Sequence, residues 1–90
     1  MATIWKFPIG FRGQPMPVEM PVGAKVLSIQ VQGNQLCAWA LVDEHAPSEV
    51  RTFKMFGTGH PIEDVDRLTH ITTFQSGAFV WHVFELDQPA

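Results

Sequence analysis

The stretch of sequence that decides the fold runs from Lys25 to Val42 and reads KVLSIQVQGNQLCAWALV. Two runs with strand-like alternation flank Gly33-Asn34, which is the signature of a two-residue hairpin turn. This turn sets the register, because residue pairs are counted outward from it. The register predicts one aliphatic face that must be core, and a second face that is polar at one end and aromatic in the middle. The core pairs are Val31 with Leu36, Ile29 with Ala38 and Leu27 with Ala40, and the second face pairs Gln32 with Gln35, Gln30 with Cys37, Ser28 with Trp39 and Val26 with Leu41.

Strand signals continue on both sides of this hairpin. Residues 3–9 alternate apolar and polar side chains, and residues 49–56 read as another strand. The prolines of residues 16–22 restrict that stretch to an edge strand or an extended arm. Residues 62–68 are expected to form no more than one helical turn.

A second hairpin is predicted over residues 70–86, with Ser76-Gly77 as its turn. In that register Phe74 opposes Phe79, and His70 and His82 lie on opposite faces of the sheet. The chain is therefore predicted to be one mainly β domain over residues 1–90, with 87–90 as a flexible tail. Its expected architecture is a small antiparallel sandwich or partly open barrel of about six strands.

Composition argues against several classes of function. Hydrophobic residues make up 46% of the chain and charged residues 17%, whereas roughly 25% charge is typical of soluble domains. Apolar surface should remain after folding, so a homo-oligomer is expected. The net charge of −3, with six scattered Lys and Arg residues, disfavours nucleic acid as a partner.

Localisation follows from what the sequence lacks. No apolar run approaches the ~20 residues that span a membrane, and the N-terminus does not resemble a signal peptide. The single cysteine, Cys37, allows no internal disulfide, which fits a reducing compartment. No membrane association is expected, and the protein is expected to stay in the cytoplasm.

No catalytic or metal-binding set is recognisable. The four histidines fit no ligand-spacing motif, so neither a metal nor another cofactor is expected. Cys37 lies within an apolar strand, where a thiol is usually inert, and the acidic residues cluster in loops. We therefore expect a protein that is not an enzyme. The histidines are His45, His60, His70 and His82.

Two features favour binding. The loop Gly57-Thr58-Gly59-His60-Pro61 could hold an anion on its backbone N–H groups, with Arg51 adding charge. The alternative is a tight turn whose glycines adopt positive φ. The tryptophans Trp5, Trp39 and Trp81 are either packing residues or flat surfaces for a planar ligand or a second subunit.

Several segments carry a family resemblance: Ile4-Trp5-Lys6-Phe7-Pro8, Gly23-Ala24-Lys25-Val26-Leu27-Ser28, Trp39-Ala40-Leu41-Val42-Asp43, Gly57-Thr58-Gly59-His60-Pro61 and Trp81-His82-Val83-Phe84-Glu85. Together they resemble a family of short uncharacterised proteins encoded by tailed bacteriophages and prophages. The resemblance covers residues 3–85, with 12–17 and 88–90 outside the pattern. It implies a phage-encoded protein acting in the host bacterial cytoplasm, and it brings no activity, cofactor or catalytic residue.

The leading hypothesis is a non-enzymatic binding protein that sequesters a small anionic or nucleotide-like host signalling molecule, as an anti-defence sponge. One alternative is a protein-interaction module that inhibits a host or phage protein, and another is a minor virion or assembly component. The candidate ligand-binding residues are Ser28, Gln30, Trp39, Arg51, Thr58, His60, Trp81 and His82.

Overall fold

The computed structural model describes residues 1–10 and 13–88 of the chain. Over these residues it contains seven strands and one short 3₁₀ turn. All strand pairs are antiparallel. The elements are β1 (Ala2–Ile9), β2 (Met16–Pro21), β3 (Lys25–Gln32), β4 (Gln35–Asp43), β5 (Ser48–Gly57), the 3₁₀ turn (Val65–Arg67), β6 (Leu68–Ser76) and β7 (Phe79–Leu86).

The strands form two sheets that pack as a sandwich. The first sheet has the order β1-β4-β3 and the second has the order β2-β5-β7-β6. Apolar side chains of alternate positions fill the space between them, as period-2 strands require. The prediction of a mainly β sandwich is confirmed, with seven strands in the described part of the chain and no closure into a barrel. The most completely buried side chains are Phe53, Ile9, Met16, Met20, Ile29, Val42, Val83 and Cys37.

The β3–β4 hairpin forms at Gly33-Asn34 as predicted, with Gly33 at φ 62°. Five of the seven predicted residue pairs are confirmed, from the turn as far as Ser28 with Trp39. Beyond that point a β-bulge makes Leu27 an extra residue, so Val26 rather than Leu27 opposes Ala40. The prediction that Leu27 belongs to the core is therefore wrong: its side chain is 46% exposed.

The β6–β7 hairpin turns at Gly77-Ala78 instead of Ser76-Gly77. Gly77 has φ 59°, and a two-residue turn of type II′ requires glycine at its first central position. Moving the turn by one residue moves each partner by two, so Phe74 opposes Trp81 rather than Phe79. Side chains therefore keep their faces near the turn although the predicted partners are wrong.

A second bulge lies in β6 between His70 and Thr72. Because the extra residue reverses the alternation, His70 pairs with Phe84 and lies on the same face of the sheet as His82. The prediction that the two histidines lie on opposite faces is wrong for this reason.

The proline-rich segment forms β2, an edge strand that pairs with β5, as the sequence predicted. Just before it, the side-chain amide of Gln14 donates to the carbonyl oxygen of Met55 and accepts from its N–H. Gln14 thus continues the ladder with its side chain where the strand itself has not begun.

The C-terminal segment continues beyond β7 and is held by groups on both sides of that strand. The backbone N–H of Asp87 donates to the carbonyl oxygen of Arg67 at 2.8 Å, and the side-chain amide of Gln88 donates to that of Val50 at 3.1 Å. Of the predicted tail, residues 89–90 lie outside the described residues. Within residues 1–10 and 13–88, no helix has the length and apolar character needed to cross a membrane.

Candidate functional site

The eight predicted site residues fall into three groups. Ser28, Gln30 and Trp39 lie on the outer face of the first sheet, and Arg51 lies between the sheets. The other four lie together at the end of the sandwich that carries both hairpin turns: Thr58, His60, Trp81 and His82.

On the outer face of the first sheet the polar groups bond to one another. The Gln30 amide donates to the Ser28 hydroxyl at 2.9 Å, and the Lys6 ammonium donates to the Gln32 side chain at 2.9 Å. Trp39 is half-buried beside them. The two cavities described below are lined by other residues.

Arg51 is held by a structural ion pair. Its guanidinium donates twice to the Glu85 carboxylate, with the Nη2–Oε1 distance at 2.8 Å, and once to the carbonyl oxygen of Ala24. The hydrogen bond with Glu85 raises the pKa of Arg51, and the negative charges of Glu85 and Glu49 add to this against the opposing effect of burial. Both side chains of the pair are nearly buried, at 13% and 14% exposure.

Arg51 does not join the glycine loop with which the sequence associated it. It lies six residues from Gly57 along β5, which at ~3.3 Å per residue is roughly 20 Å. Its positive charge is neutralised by Glu85 and is not available at the other end of the sandwich.

The Gly57–His60 segment is a tight turn. The N–H of His60 donates to the carbonyl oxygen of Gly57 at 3.1 Å, and the N–H of Thr58 donates to that of Val80 at 3.3 Å. Gly59 has φ 88°. Since two of its N–H groups already have partners, the backbone favours the tight-turn interpretation over an anion nest. The His60 ring lies so close to Gly57 that a Cβ there would meet it at 2.9 Å.

A depression of about 400 Å³ lies over this turn, and we call it the turn depression. Its lining includes Thr58 and His60 from the turn and Phe79 and Trp81 from β7. The two aromatic rings lie 6.0 Å apart between centroids and are inclined by 33°. Phe79 is 64% exposed. Three of the predicted site residues therefore meet in one concave surface.

A larger cavity, of about 510 Å³, opens between the two sheets at the same end, and we call it the open-end cleft. Trp81 lines both cavities and forms the wall between them. The apolar walls of the cleft come from both sheets, and its rim carries amide and hydroxyl groups. The wall residues are Ile9, Val31, Leu36, Met55, Phe74 and Trp81, and the rim residues are Asn34, Gln35 and Ser76.

Sequence reasoning missed this cleft because it assigned Val31, Leu36 and Phe74 to the core or to strand pairs. The available signal was the position of Val31 and Leu36 directly beside a turn, where a sheet ends. The sequence contains no signal that the two hairpin turns lie at the same end of the sandwich.

A chain of hydrogen bonds crosses the outer face of the second sheet. Thr58 Oγ1 lies 2.8 Å from His82 Nε2, His82 Nδ1 lies 3.0 Å from Thr73 Oγ1, and Thr73 Oγ1 lies 2.9 Å from His70 Nε2. Sequence reasoning selected Thr58 and His82 but missed Thr73 and placed His70 on the opposite face, because the β6 bulge has no sequence signature. His82 thereby orients the Thr58 hydroxyl at the edge of the turn depression.

This network of hydrogen bonds lacks the features of a metal centre. Within the part of the chain that the structure describes, no group of three or more His, Cys, Asp or Glu side chains could hold a metal ion. His82 forms hydrogen bonds with two neutral hydroxyl groups, those of Thr58 and Thr73. The network is therefore best understood as one that positions Thr58.

Comparison with known proteins supports a family assignment. A family model described as a domain of unknown function (DUF7352) matches residues 1–90. The chain belongs to the DUF7352 family. The match to DUF7352 also covers residues 12–17 and 88–90, which lie outside the resemblance noted from the sequence. Searches of the curated proteins and of the solved structures give no significant match to this DUF7352 chain.

Proposed function

We propose that this protein is a non-enzymatic binding module that captures a small nucleotide-like molecule at the open end of the sandwich. The observation that carries the proposal is the convergence of Trp81, Thr58 and His60 in the turn depression. Ligand sites are typically concave, with aromatic walls and a few polar groups that fix orientation. The turn depression has both kinds of group.

The aromatic pair would bind the planar part of the ligand. Stacking of a base on an aromatic side chain contributes about 1–3 kcal/mol, and Phe79 offers an exposed ring next to Trp81. The anionic part would be bound by the Thr58 hydroxyl and the His60 imidazole. Arg51 has no part in this site, because Glu85 already binds its guanidinium.

The biological role that suits such a module is sequestration. A phage-encoded protein that binds a nucleotide-like host signal without turning it over would act as an anti-defence sponge in the bacterial cytoplasm. This part of the proposal rests on the family resemblance of the sequence and on the stacking site, and it includes a homo-oligomeric state.

Titration calorimetry against cyclic dinucleotides and ADP-ribose derivatives tests the proposal. We expect stoichiometric binding to at least one member of the panel, with affinity reduced about tenfold or more in Trp81→Ala, since loss of one stacking ring costs about 1–3 kcal/mol. Trp39→Ala is the matched control, because Trp39 is also half-buried but lies on the other sheet. A flat response across the panel, or equal losses in the two variants, would contradict the proposal.

The protein-interaction alternative also has a specific observation in its favour. On the outer face of the first sheet, Ile4 and Leu41 oppose each other at 55% and 39% exposure. A protein partner that covered this pair would remove its apolar surface from water. Affinity capture from infected cells separates the two functions: a stoichiometric protein partner lost in Ile4→Lys supports this alternative, and retention of the partner argues against it.

A further inference from the structure

We propose that the open-end cleft binds a neutral planar heterocycle of the nucleobase class. The inference deepens the proposed function and rests on it in one respect: Trp81 is the wall that the cleft shares with the turn depression. None of the other residues that line the cleft was among the candidates drawn from the sequence.

The open-end cleft has the size and shape that a small planar ligand requires. A volume of about 510 Å³ lies within the ~300–1,000 Å³ of ligand cavities. The cleft lies between two sheets, whose backbones in a sandwich are ~10 Å apart. A space bounded by two such layers admits a flat molecule and lets side chains contact both of its faces.

The walls of the cleft are apolar and partly exposed to solvent. Met55 and Phe74 are both 8% exposed and form the floor. Val31 is 42% exposed although it lies on the core face of β3. At this end the inward-facing side chains run out of partners in the opposite sheet. Filling the cleft with an apolar ring would remove this surface from water at a gain of about 25 cal/mol per Å².

The rim of the cleft carries both hydrogen-bond donors and acceptors. The Gln35 side-chain N–H groups donate to the carbonyl oxygens of Ile9 and Leu36 at 2.9 and 3.1 Å, which leaves the Gln35 amide oxygen as an acceptor. Asn34 can both donate and accept, as can the Ser76 hydroxyl. This mixture of donors and acceptors matches the edge of a nucleobase, which asparagine and glutamine amides bind in a bidentate manner.

The lining of the cleft favours a neutral ligand. Among the described residues that line the cleft, none carries an ionised side chain. Burying a phosphate or carboxylate there would remove its hydration without supplying a counter-charge. The cleft therefore selects a neutral ring, and any anionic part of the same ligand must lie on the Thr58 and His60 side of Trp81.

Calorimetry with neutral nucleosides tests the inference separately from the proposed function. The probes are adenosine, guanosine, cytidine and uridine, their 5′-monophosphates, and inorganic phosphate. We expect at least one nucleoside to bind, and Ser76→Phe, which fills the cleft, to weaken that binding at least tenfold. Gln75→Phe is the matched control, because Gln75 lies on the same strand but on the opposite face.

A second variant guards against misfolding of the first. Asn34→Ala removes one rim amide from an exposed turn and should lower nucleoside affinity about tenfold, in line with ~1–3 kcal/mol for a good bidentate contact. Circular dichroism and the thermal midpoint verify that both variants fold.

The outcomes are distinguishable. If no nucleoside binds, or if Ser76→Phe and Gln75→Phe behave alike, the inference is overturned, even where the monophosphates or cyclic dinucleotides bind through the turn depression. If nucleosides bind in the cleft and the phosphate adds no affinity, the inference is supported and the anionic part of the proposed function is contradicted.

Discussion

At Arg51, three hydrogen bonds hold a guanidinium between the two sheets, and Glu85 supplies two of the acceptors. Glu85→Gln would leave this nearly buried charge without its counter-ion. We expect a loss of about 3 kcal/mol in the free energy of unfolding, measured by urea titration, because breaking one side of a buried pair strands the other. The double variant Arg51→Met/Glu85→Leu should lose less, since no charge remains to be stranded.

The matched control for this prediction is Glu19→Gln on β2, where the carboxylate is exposed; we expect a change within about 0.5 kcal/mol. Equal losses in Glu85→Gln and Glu19→Gln would contradict the structural role of the pair.

The pH dependence of stability at Arg51 has a defined sign. Because the hydrogen bond with Glu85 raises the pKa of Arg51, the guanidinium keeps its charge, and the stability it provides, until the pH rises beyond the ordinary range of an arginine side chain.

At the scale of elements, the two hairpin turns carry glycine at the same place. Gly33 and Gly77 are each the first central residue, with φ of 62° and 59°. At Gly77 a Cβ would meet no atom of residues 1–10 and 13–88 within 4 Å, so Gly77→Ala tests backbone conformation alone. We expect a loss of about 1–2 kcal/mol, the cost of a left-handed conformation for an L-residue. Thermal and urea unfolding measure it.

Gly10→Ala is the control for the turn, because a Cβ at Gly10 also meets no atom of the described residues within 4 Å, and Gly10 has no positive φ. There the change should be neutral or stabilising by up to about 1 kcal/mol, since alanine restricts the unfolded chain. If Gly77→Ala is no more destabilising than Gly10→Ala, the turn does not require the conformation that places Phe74 opposite Trp81.

The same two hairpins explain how much the sequence could predict. Gly33-Asn34 fixed a register that is correct for five pairs, because a turn residue and a strict period of two reinforce each other. The errors are the one-residue displacement of the second turn and the bulges beside Leu27 and Ile71. A bulge is a one-residue excess settled by packing between strands, so local sequence contains no clear signal for it. For the same reason Thr58, His70 and His82 could be named without their common network being predicted.

Across the whole molecule, exposed apolar side chains also occur on the outer face of the first sheet, beside its polar groups. Ile4 and Leu41 form a cross-strand pair on it, beside the half-buried Trp39. A chain with 46% hydrophobic residues has more apolar surface than a small core can bury. We therefore predict that two copies associate through this face, as an isologous pair of identical patches.

Sedimentation velocity tests this prediction. The wild-type chain should sediment as a dimer and Ile4→Lys as a monomer, because each interface would receive two unpaired charges, one from each copy. Val65→Lys is a closely matched control: Val65 is 56% exposed against 55% for Ile4, but it lies in the 3₁₀ turn. We expect it to remain dimeric. A wild-type monomer, or a Val65→Lys variant that dissociates as readily as Ile4→Lys, would show that this face is not where copies meet. Binding at the open end should persist in the Ile4→Lys monomer, since neither Ile4 nor Leu41 lines either cavity.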